Sequence, residues 1–299
     1  MPPYGQFVFG HEYAGEIAAV GGTVDELQVG DRVVVEAHLG CRRCENCIRG
    51  LYTACLNYGN ARRGHRANGM TTNGGLAEYA VNHVNTLYKI PPEVSFEEAV
   101  VVMTAGSPLY GLQVAGGYFA GETVAVLGPG PIGLMALQLV KALGAVRVIL
   151  TGPRASRLAL GRELGADVTV DSRSTDVVAA VREATAGKGA DVTIDCAGAT
   201  DTFDQSIRMT KTGGRVILVA FYHGPVTANV SDAVRRNITI YTERGEGGTS
   251  VGRALALLAA GRIKAAPLVS RTFPLAEVRR GFEVVEKRID DPIKVIFHP

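Results

Sequence analysis

The chain has 299 residues, of which 46% are hydrophobic and 20% charged, and 31 Lys and Arg against 29 Asp and Glu leave a formal charge of +2. That is enough ordinary globular sequence for about two domains; it excludes a disordered polymer and gives no electrostatic reason for a nucleic-acid or membrane partner. No apolar run reaches the roughly 18 residues of a membrane span, and the opening MPPYGQFVFGHEYAGEI lacks the basic-then-apolar pattern of a secretory signal.

In chain order, the first hundred residues hold short β-rich runs at 16–20, 32–35 and 77–81, separated by Gly and polar turns. The pattern changes near residue 105. A buried-type strand at 124–127 leads to a helix at 131–143 closed by Gly144, a strand at 146–150, and a helix at 157–164 ending at Gly165. Strands at 168–170, 192–195, 216–221 and 238–241 follow, with helices such as 176–186 between several of them. This alternation predicts an α/β fold, a parallel sheet doubly wound with helices on both faces. The tail holds a helix at 251–260, an extended 268–273, a helix at 275–287 and a strand at 293–297. Three segments result: a β-rich domain over 1–105, an α/β domain over 106–248, and a terminal segment over 249–299 that closes the sheet or returns to the first domain.

Four of the five cysteines, Cys41, Cys44, Cys47 and Cys55, fall within fifteen residues, and Cys196 stands apart. Clustering in a large chain without a signal argues for reduced thiols and a cytoplasmic protein. The spacing Cys-x2-Cys-x2-Cys-x7-Cys suits a tetrahedral zinc shell filled by four thiolates, which leaves no position for water or substrate and is therefore structural. A disulfide pair and an iron–sulfur cluster are the competing readings. Four thiolates around one divalent cation carry a formal charge near −2. Arg42, Arg43 and Arg49 either offset it through N–H···S contacts or are plain solvated arginines.

Strand, Gly128-Pro-Gly130-Pro131-Ile132-Gly133, helix is a Gly-x-Gly-x-x-Gly turn in the context that binds a dinucleotide. Gly128 permits the tight turn, Gly130 lets the backbone approach a pyrophosphate, and Gly133 allows helix and strand to pack closely. The helix start at Pro131 and Ile132 faces the anion with its N-terminus. The second strand ends at Thr151-Gly152-Pro153-Arg154 with no carboxylate to hold a ribose hydroxyl. Gly152 leaves room for a 2′-phosphate, and Arg154, with Arg157 assisting, provides guanidinium donors, so NADP(H) is favoured over NAD(H).

Together these features resemble the zinc-containing medium-chain dehydrogenase/reductase family, the alcohol and polyol dehydrogenases. The resemblance rests on Gly10-His11-Glu12-Tyr13-Ala14-Gly15-Glu16, Gly30-Asp31-Arg32-Val33, the cysteine lobe, Gly74-Gly75-Leu76-Ala77-Glu78-Tyr79, the Gly128–Gly133 turn and Ile293-Lys294-Val295, in the family's order over nearly the whole chain. It implies a Rossmann domain and a GroES-like catalytic domain to which the terminal segment returns. It also implies hydride transfer between a nicotinamide and a carbon bearing a hydroxyl of a small alcohol, polyol or sugar, with a catalytic zinc as Lewis acid. His11 carries over as a ligand of that zinc and Glu12 as the carboxylate beside it. The family's first zinc-ligating Cys lies upstream of the Gly-His-Glu motif, but no Cys precedes Cys41. The third ligand corresponds to the stretch around 102–111, yet residues 99–121 contain no Cys, Asp, Glu or His. The catalytic domain is therefore expected to be incomplete at its N-terminal side and the catalytic zinc site short of ligands.

That shortage keeps two other readings in play: a metal-independent quinone reductase-like enzyme, and an inert NADP-binding pseudoenzyme or sensor. Thr104 and Ser107 are candidates for substrate contact. His38 and His65 read as solvated loop residues or, less readily, as residues reaching the cleft; the basic loop 62–66 as solvated or as a seat for an anionic substrate group; Cys196, beside the expected nicotinamide position, as a small buried residue; and Phe221 and Tyr222 as core aromatics or walls of the cleft. A homo-oligomer, dimer or tetramer, is expected from the family, with the sixth strand as a candidate contact.

Overall fold

A computed structural model describes residues 7–299. The chain divides into two compact units: one over 1–106, 245–261 and 265–299, the other over 107–244 and 262–264.

The first unit opens with an antiparallel sheet. Strand β1 (Ala14–Glu16) pairs with β2 (Arg32–Val35). The short pair β3 (His38–Leu39) and β4 (Arg66–Ala67) brackets the cysteine lobe, which contains the one-turn helix α1 (Glu45–Ile48). Strand β5 (Leu87–Lys89) joins the other edge of β2, so the sheet order is β1-β2-β5. Val33, Val34 and Val35 are buried, as expected for the middle strand. Two expected strands differ from the observed structure. The run at 16–20 is a strand only as far as Glu16, and 77–81 pairs with nothing among the described residues. A strand-like sequence without a hydrogen-bonding partner does not become a strand.

Helix α2 (Phe96–Val114) was not legible in the sequence, although it spans the change of pattern near residue 105. Its centre is helix-poor, with Gly106, Ser107, Pro108 and Gly111. Close packing demands the two glycines: a Cβ at Gly106 would lie 2.9 Å from Val251 and one at Gly111 would lie 3.0 Å from Glu243. Packing here overrides propensity.

The second unit is a six-stranded parallel sheet. Its strands are β6 (Thr123–Leu127), β7 (Arg147–Gly152), β8 (Val168–Asp171), β9 (Ala190–Asp195), β10 (Thr210–Leu218) and β11 (Thr239–Thr242). Between them run α3 (Pro131–Ala142), α4 (Ala155–Glu163), α5 (Val177–Ala184), α6 (Thr202–Met209) and α7 (Val230–Arg235). The order β11-β10-β9-β6-β7-β8, all parallel, is the doubly wound Rossmann arrangement expected from the sequence. Its direction reverses between β6 and β9, which places a ligand crevice at their carboxyl ends. The core is apolar: Leu127, Leu134, Leu137, Ile149, Leu150 and Ile194 are fully buried. Every residue of α3 from Gly133 to Val140 is buried, so this helix is covered on all sides.

The chain then re-enters the first unit with α8 (Ser250–Ala259), β12 (Val269–Pro274), α9 (Val278–Glu286) and β13 (Lys294–His298), and β12 and β13 pair in parallel. The single helix expected over 275–287 is a 3-10 turn, Leu275–Glu277, followed by α9. No helix among the described residues is long and apolar enough to cross a membrane.

Candidate functional site

The glycine turn lies at the carboxyl end of β6. Gly128 is left-handed at φ +94°, which L side chains rarely adopt, and a Cβ there would press on Ala197 at 3.0 Å. A Cβ on Gly133 would sit 1.9 Å from the Gly128 carbonyl oxygen. Gly130 differs from both. Its φ is −78°, open to any residue, and nothing lies within 4 Å of where its Cβ would be. The protein itself does not require this glycine; the empty space beside it suits a group that approaches the backbone from outside, as a pyrophosphate does. No side chain caps α3, so the amides of Ile132 and Gly133 face that space.

Gly152 ends β7, and its bareness has a packing cause. A Cβ would lie 2.2 Å from Cδ of Pro129, so the glycine makes room for the Pro129 ring. Arg154 precedes α4 as its N-cap residue and Arg157 lies in its first turn. The sequence reading missed Asp171, which ends β8 in register with Gly152. Its carboxylate accepts from Nε and Nη2 of Arg173 at 3.0 and 2.6 Å, and these bonds hold its pKa down at about 2. The two residues lie in a short Asp-Ser-Arg turn, where the i,i+2 pair was the available clue.

At the end of β9, buried Asp195 closes the turn that faces Gly128. Its Oδ1 accepts from the amides of Ala197 and Gly198 at 2.9 and 3.1 Å, and its Oδ2 from the Tyr222 hydroxyl at 2.5 Å. Burial, with Asp195 and Glu243 adding to it, pushes the Cys196 thiol well above its ordinary range, so it stays protonated. Phe221 is 72% exposed and Tyr222 is tied to Asp195, because β10 ends at Leu218; neither is a core aromatic. Ser107 donates to Glu243 at 2.7 Å.

In the first unit, His11 is exposed and Glu12 is half-buried. Glu12 accepts from Thr104 at 3.2 Å and is ion-paired with Lys294 of β13. Burial opposes ionisation, but Lys294, with His11 and Thr104 helping, outweighs it and holds the carboxyl below its ordinary range. The loop that follows β4 packs directly on this motif. A Cβ on Gly69 or Gly74 would fall 2.2 or 2.0 Å from the Gly10 carbonyl oxygen, and one on Gly75 would enter the Tyr13 ring. These close approaches explain the glycines around 69–75.

His38 and His65 are not solvated. His38 is 8% exposed and bonds Glu246 through Nδ1 at 3.0 Å. His65 is fully buried against the Tyr58 ring, and its Nδ1 accepts from the Gly59 amide. Glu36, buried nearby, accepts from the hydroxyls of Tyr52 and Tyr88, and burial raises its pKa.

The four lobe cysteines converge. Their sulfurs all lie within 4.8 Å of one another, with Cys41–Cys47 and Cys44–Cys55 at 3.9 Å. Tetrahedral zinc with Zn–S near 2.3 Å requires sulfurs about 3.8 Å apart, whereas a disulfide requires about 2.05 Å. The lobe therefore fits a structural zinc, and none of the four is disulfide-bonded. Gly40 allows the closure, since a Cβ there would lie 2.6 Å from the Cys47 sulfur. The arginine side chains bond elsewhere than to the sulfurs. Arg42 meets His83, Arg43 bonds the Arg63 carbonyl, and Arg49 pairs with Glu45. The N–H···S donors are main-chain amides and Asn57 instead, and the Arg43 amide contributes most to drawing the Cys41 thiol down to about 5.

Among the described residues this is the only group of three or more His, Cys, Asp or Glu side chains spaced to hold a metal. His11 has no such company among the described residues.

Sequence models of two families match the chain: the alcohol dehydrogenase GroES-like domain over residues 1–92 and the zinc-binding dehydrogenase over 131–260. An L-threonine 3-dehydrogenase of Pyrococcus horikoshii is 32% identical over 95% of this chain and 78% of its own length. A D-arabitol-phosphate dehydrogenase of Enterococcus avium is 32% identical over 93% and 78%. A Sinorhizobium meliloti 1021 protein solved bound to NADP superposes with a TM-score of 0.91 at 30% identity, covering 100% of this chain and 85% of the other.

Proposed function

Because the chain belongs to the zinc-binding, alcohol dehydrogenase-like family, we propose that it transfers hydride between NADP(H) and a small alcohol, polyol or sugar, or the matching carbonyl compound. The observation that carries the reading is Gly130, a glycine that the protein's own packing and backbone do not require, beside the uncapped start of α3. Gly128, Gly130, Pro131, Ile132 and Gly133 receive the pyrophosphate, and Arg154 with Arg157 receives the 2′-phosphate that distinguishes NADP. Asp171, held by Arg173, leaves no free carboxylate to repel that phosphate. The NADP-bound relative supports the same preference. The nicotinamide supplies the redox chemistry: the carbon-bound hydrogen leaves with its electron pair, and the hydroxyl proton leaves separately. The first unit brings His11 and Glu12. His11 is exposed, and Lys294 and Thr104 fix the neighbouring Glu12 in its ionised form.

Cys41, Cys44, Cys47 and Cys55 hold a zinc that organises their lobe without contacting substrate. No step is assigned to a second zinc, since the described residues do not assemble a site for it. That observation favours, as a second reading, metal-independent reduction of the quinone reductase kind. Cytoplasmic residence and a homo-oligomer accompany the proposal, on the reduced thiols and the family respectively.

The test is NADP⁺ reduction with a panel of alcohols, polyols and polyol phosphates, alongside zinc analysis. Alcohol oxidation with two zinc ions per chain supports the first reading. One zinc with NADPH oxidation by quinones supports the second. A chain that binds NADP(H) but turns over neither panel refutes both and leaves a nucleotide-binding sensor.

A further inference from the structure

Helix α2 brings hydroxyls and no acids into the second unit, since residues 99–121 contain no Cys, Asp, Glu or His. A carboxylate nevertheless reaches this helix from the end of the sheet. Glu243 directly follows β11, and its Oε1 accepts from the Ser107 hydroxyl at 2.7 Å, 136 residues away in sequence. The helix is shaped to receive it. Ser107 and Gly111 are four residues apart and so share a face. A Cβ on Gly111 would lie 3.0 Å from Cγ of Glu243. Gly111 therefore clears the stem of Glu243, and Ser107 binds its carboxylate. A serine inside a helix ordinarily turns its hydroxyl back to the carbonyl four residues earlier, whereas Ser107 sends its proton sideways.

The pair lies at the carboxyl ends of the strands that take the reactive end of a dinucleotide. A doubly wound sheet has two mononucleotide-binding halves. With the adenosine at β6, β7 and β8, where Gly152 and Arg154 lie, the nicotinamide belongs to β9, β10 and β11. Cys196 links the glycine turn to the pair. A Cβ on Gly133 would lie 3.4 Å from Cβ of Cys196, and Glu243 is close enough to Cys196 to oppose its ionisation. Asp195, the buried carboxylate at the end of β9, is engaged by the Ala197 and Gly198 amides and the Tyr222 hydroxyl. Glu243 instead bonds a hydroxyl whose oxygen keeps lone pairs for a second proton donor.

We propose that Ser107 is a proton-transferring catalytic residue and Glu243 the carboxylate behind it that takes up the proton. The inference rests on the hydride-transfer reading above and serves either of its substrates, because alcohol oxidation releases a proton and quinone reduction consumes one. In the oxidation, the substrate O–H bond breaks and its proton passes to Oγ of Ser107 while the Ser107 proton passes to Oε1 of Glu243. The carbinol hydrogen leaves with its electron pair for C4 of the nicotinamide, and the electrons of the O–H bond close the carbonyl. In the reduction, hydride leaves NADPH and the proton returns through Ser107 to the new oxyanion. A positioned acid–base pair of this kind contributes about 10²–10⁴-fold in rate.

The test compares wild type with Ser107→Ala, Ser107→Thr, Glu243→Gln, Glu243→Ala and the double variant Ser107→Ala/Glu243→Gln. NADP⁺ reduction is followed with ethanol, glycerol, sorbitol and sorbitol 6-phosphate, and NADPH oxidation with 1,4-benzoquinone. On a probe that wild type turns over, Ser107→Ala and Glu243→Gln should each lower kcat at least about 100-fold. The double variant should lose no more than either alone, because the two act as one unit. Ser107→Thr keeps the hydroxyl and should lose less than about tenfold, and formate should restore at least about tenfold to Glu243→Ala, two readouts that a merely structural tie between α2 and β11 would not move. The NADP⁺ dissociation constant should stay within about twofold throughout. Single variants that keep kcat within about threefold, losses that multiply in the double variant, or formate that restores nothing overturn the proposal and leave the hydride-transfer reading standing. A wild-type chain that turns over none of the probes overturns that reading, and the proposal with it.

Discussion

Replacing Lys294 with Met removes a charge while keeping most of its alkyl packing, and so isolates what Lys294 does for Glu12. Both side chains are mostly buried, at 17% and 28% exposure. Breaking a fully buried pair costs about 3–5 kcal/mol, and an exposed one is worth about 0–1 kcal/mol. The partial burial here places the loss at about 2–3 kcal/mol near neutral pH. Its pH dependence follows from the lowered pKa of Glu12. A carboxyl that ionises more readily in the folded state stabilises the fold above the unfolded carboxylate pKa of about 4.3. That contribution disappears as pH falls through the lower, folded value. In the variant burial, which disfavours the ionised form, is opposed only by His11 and Thr104. The gap between the two proteins should therefore be widest near pH 7 and shrink toward acid. Urea unfolding of wild type and Lys294→Met, followed by circular dichroism from about pH 3 to pH 7.5, measures the gap. Glu12→Gln added to Lys294→Met should recover most of the loss. A gap that is constant with pH, or below about 0.5 kcal/mol at pH 7, refutes the electrostatic account.

The glycine turn makes a paired prediction. Gly130→Ala should leave thermal stability within about 0.5 kcal/mol and weaken NADP(H) at least tenfold by fluorescence titration, because only the ligand occupies that space. Gly133→Ala should lower stability by about 2 kcal/mol or more in the same melt, because its Cβ overlaps the Gly128 carbonyl. Cys47→Ser should drop lobe zinc from one ion per chain to substoichiometric by mass spectrometry and lower the melting temperature of the first unit, whereas Arg42, Arg43 and Arg49 all replaced by Gln should retain the metal. Arg154→Ala should raise the apparent KM for NADP more than that for NAD, in steady-state assays with both cofactors.

Local chemistry made much of the molecule legible. The lobe cysteines, the glycine turn and the alternating strands of the second unit each state their role within a few neighbouring residues, and the six-stranded order follows from that alternation. Features that depend on distant partners were hidden. The centre of α2 reads as a breaker because Gly106 and Gly111 serve packing against Val251 and Glu243. Gly152 also serves Pro129, a packing role that the local sequence does not state. His38 looked solvated because its partner, Glu246, lies 208 residues away. The run 77–81 is strand-like in sequence yet pairs with nothing among the described residues, and 16–20 keeps its strand only as far as Glu16.

The central claim is hydride transfer to a phosphorylated nicotinamide held at the Gly128–Gly133 turn. Single-turnover transfer of deuterium from carbinol-deuterated alcohols and polyols to NADP⁺, with the product nicotinamide read by mass spectrometry, tests it most directly. Deuterated NADPH is expected from at least one substrate, faster than with NAD⁺ and lost in His11→Ala. NADP⁺ that binds but gains no deuterium from any of them would contradict it.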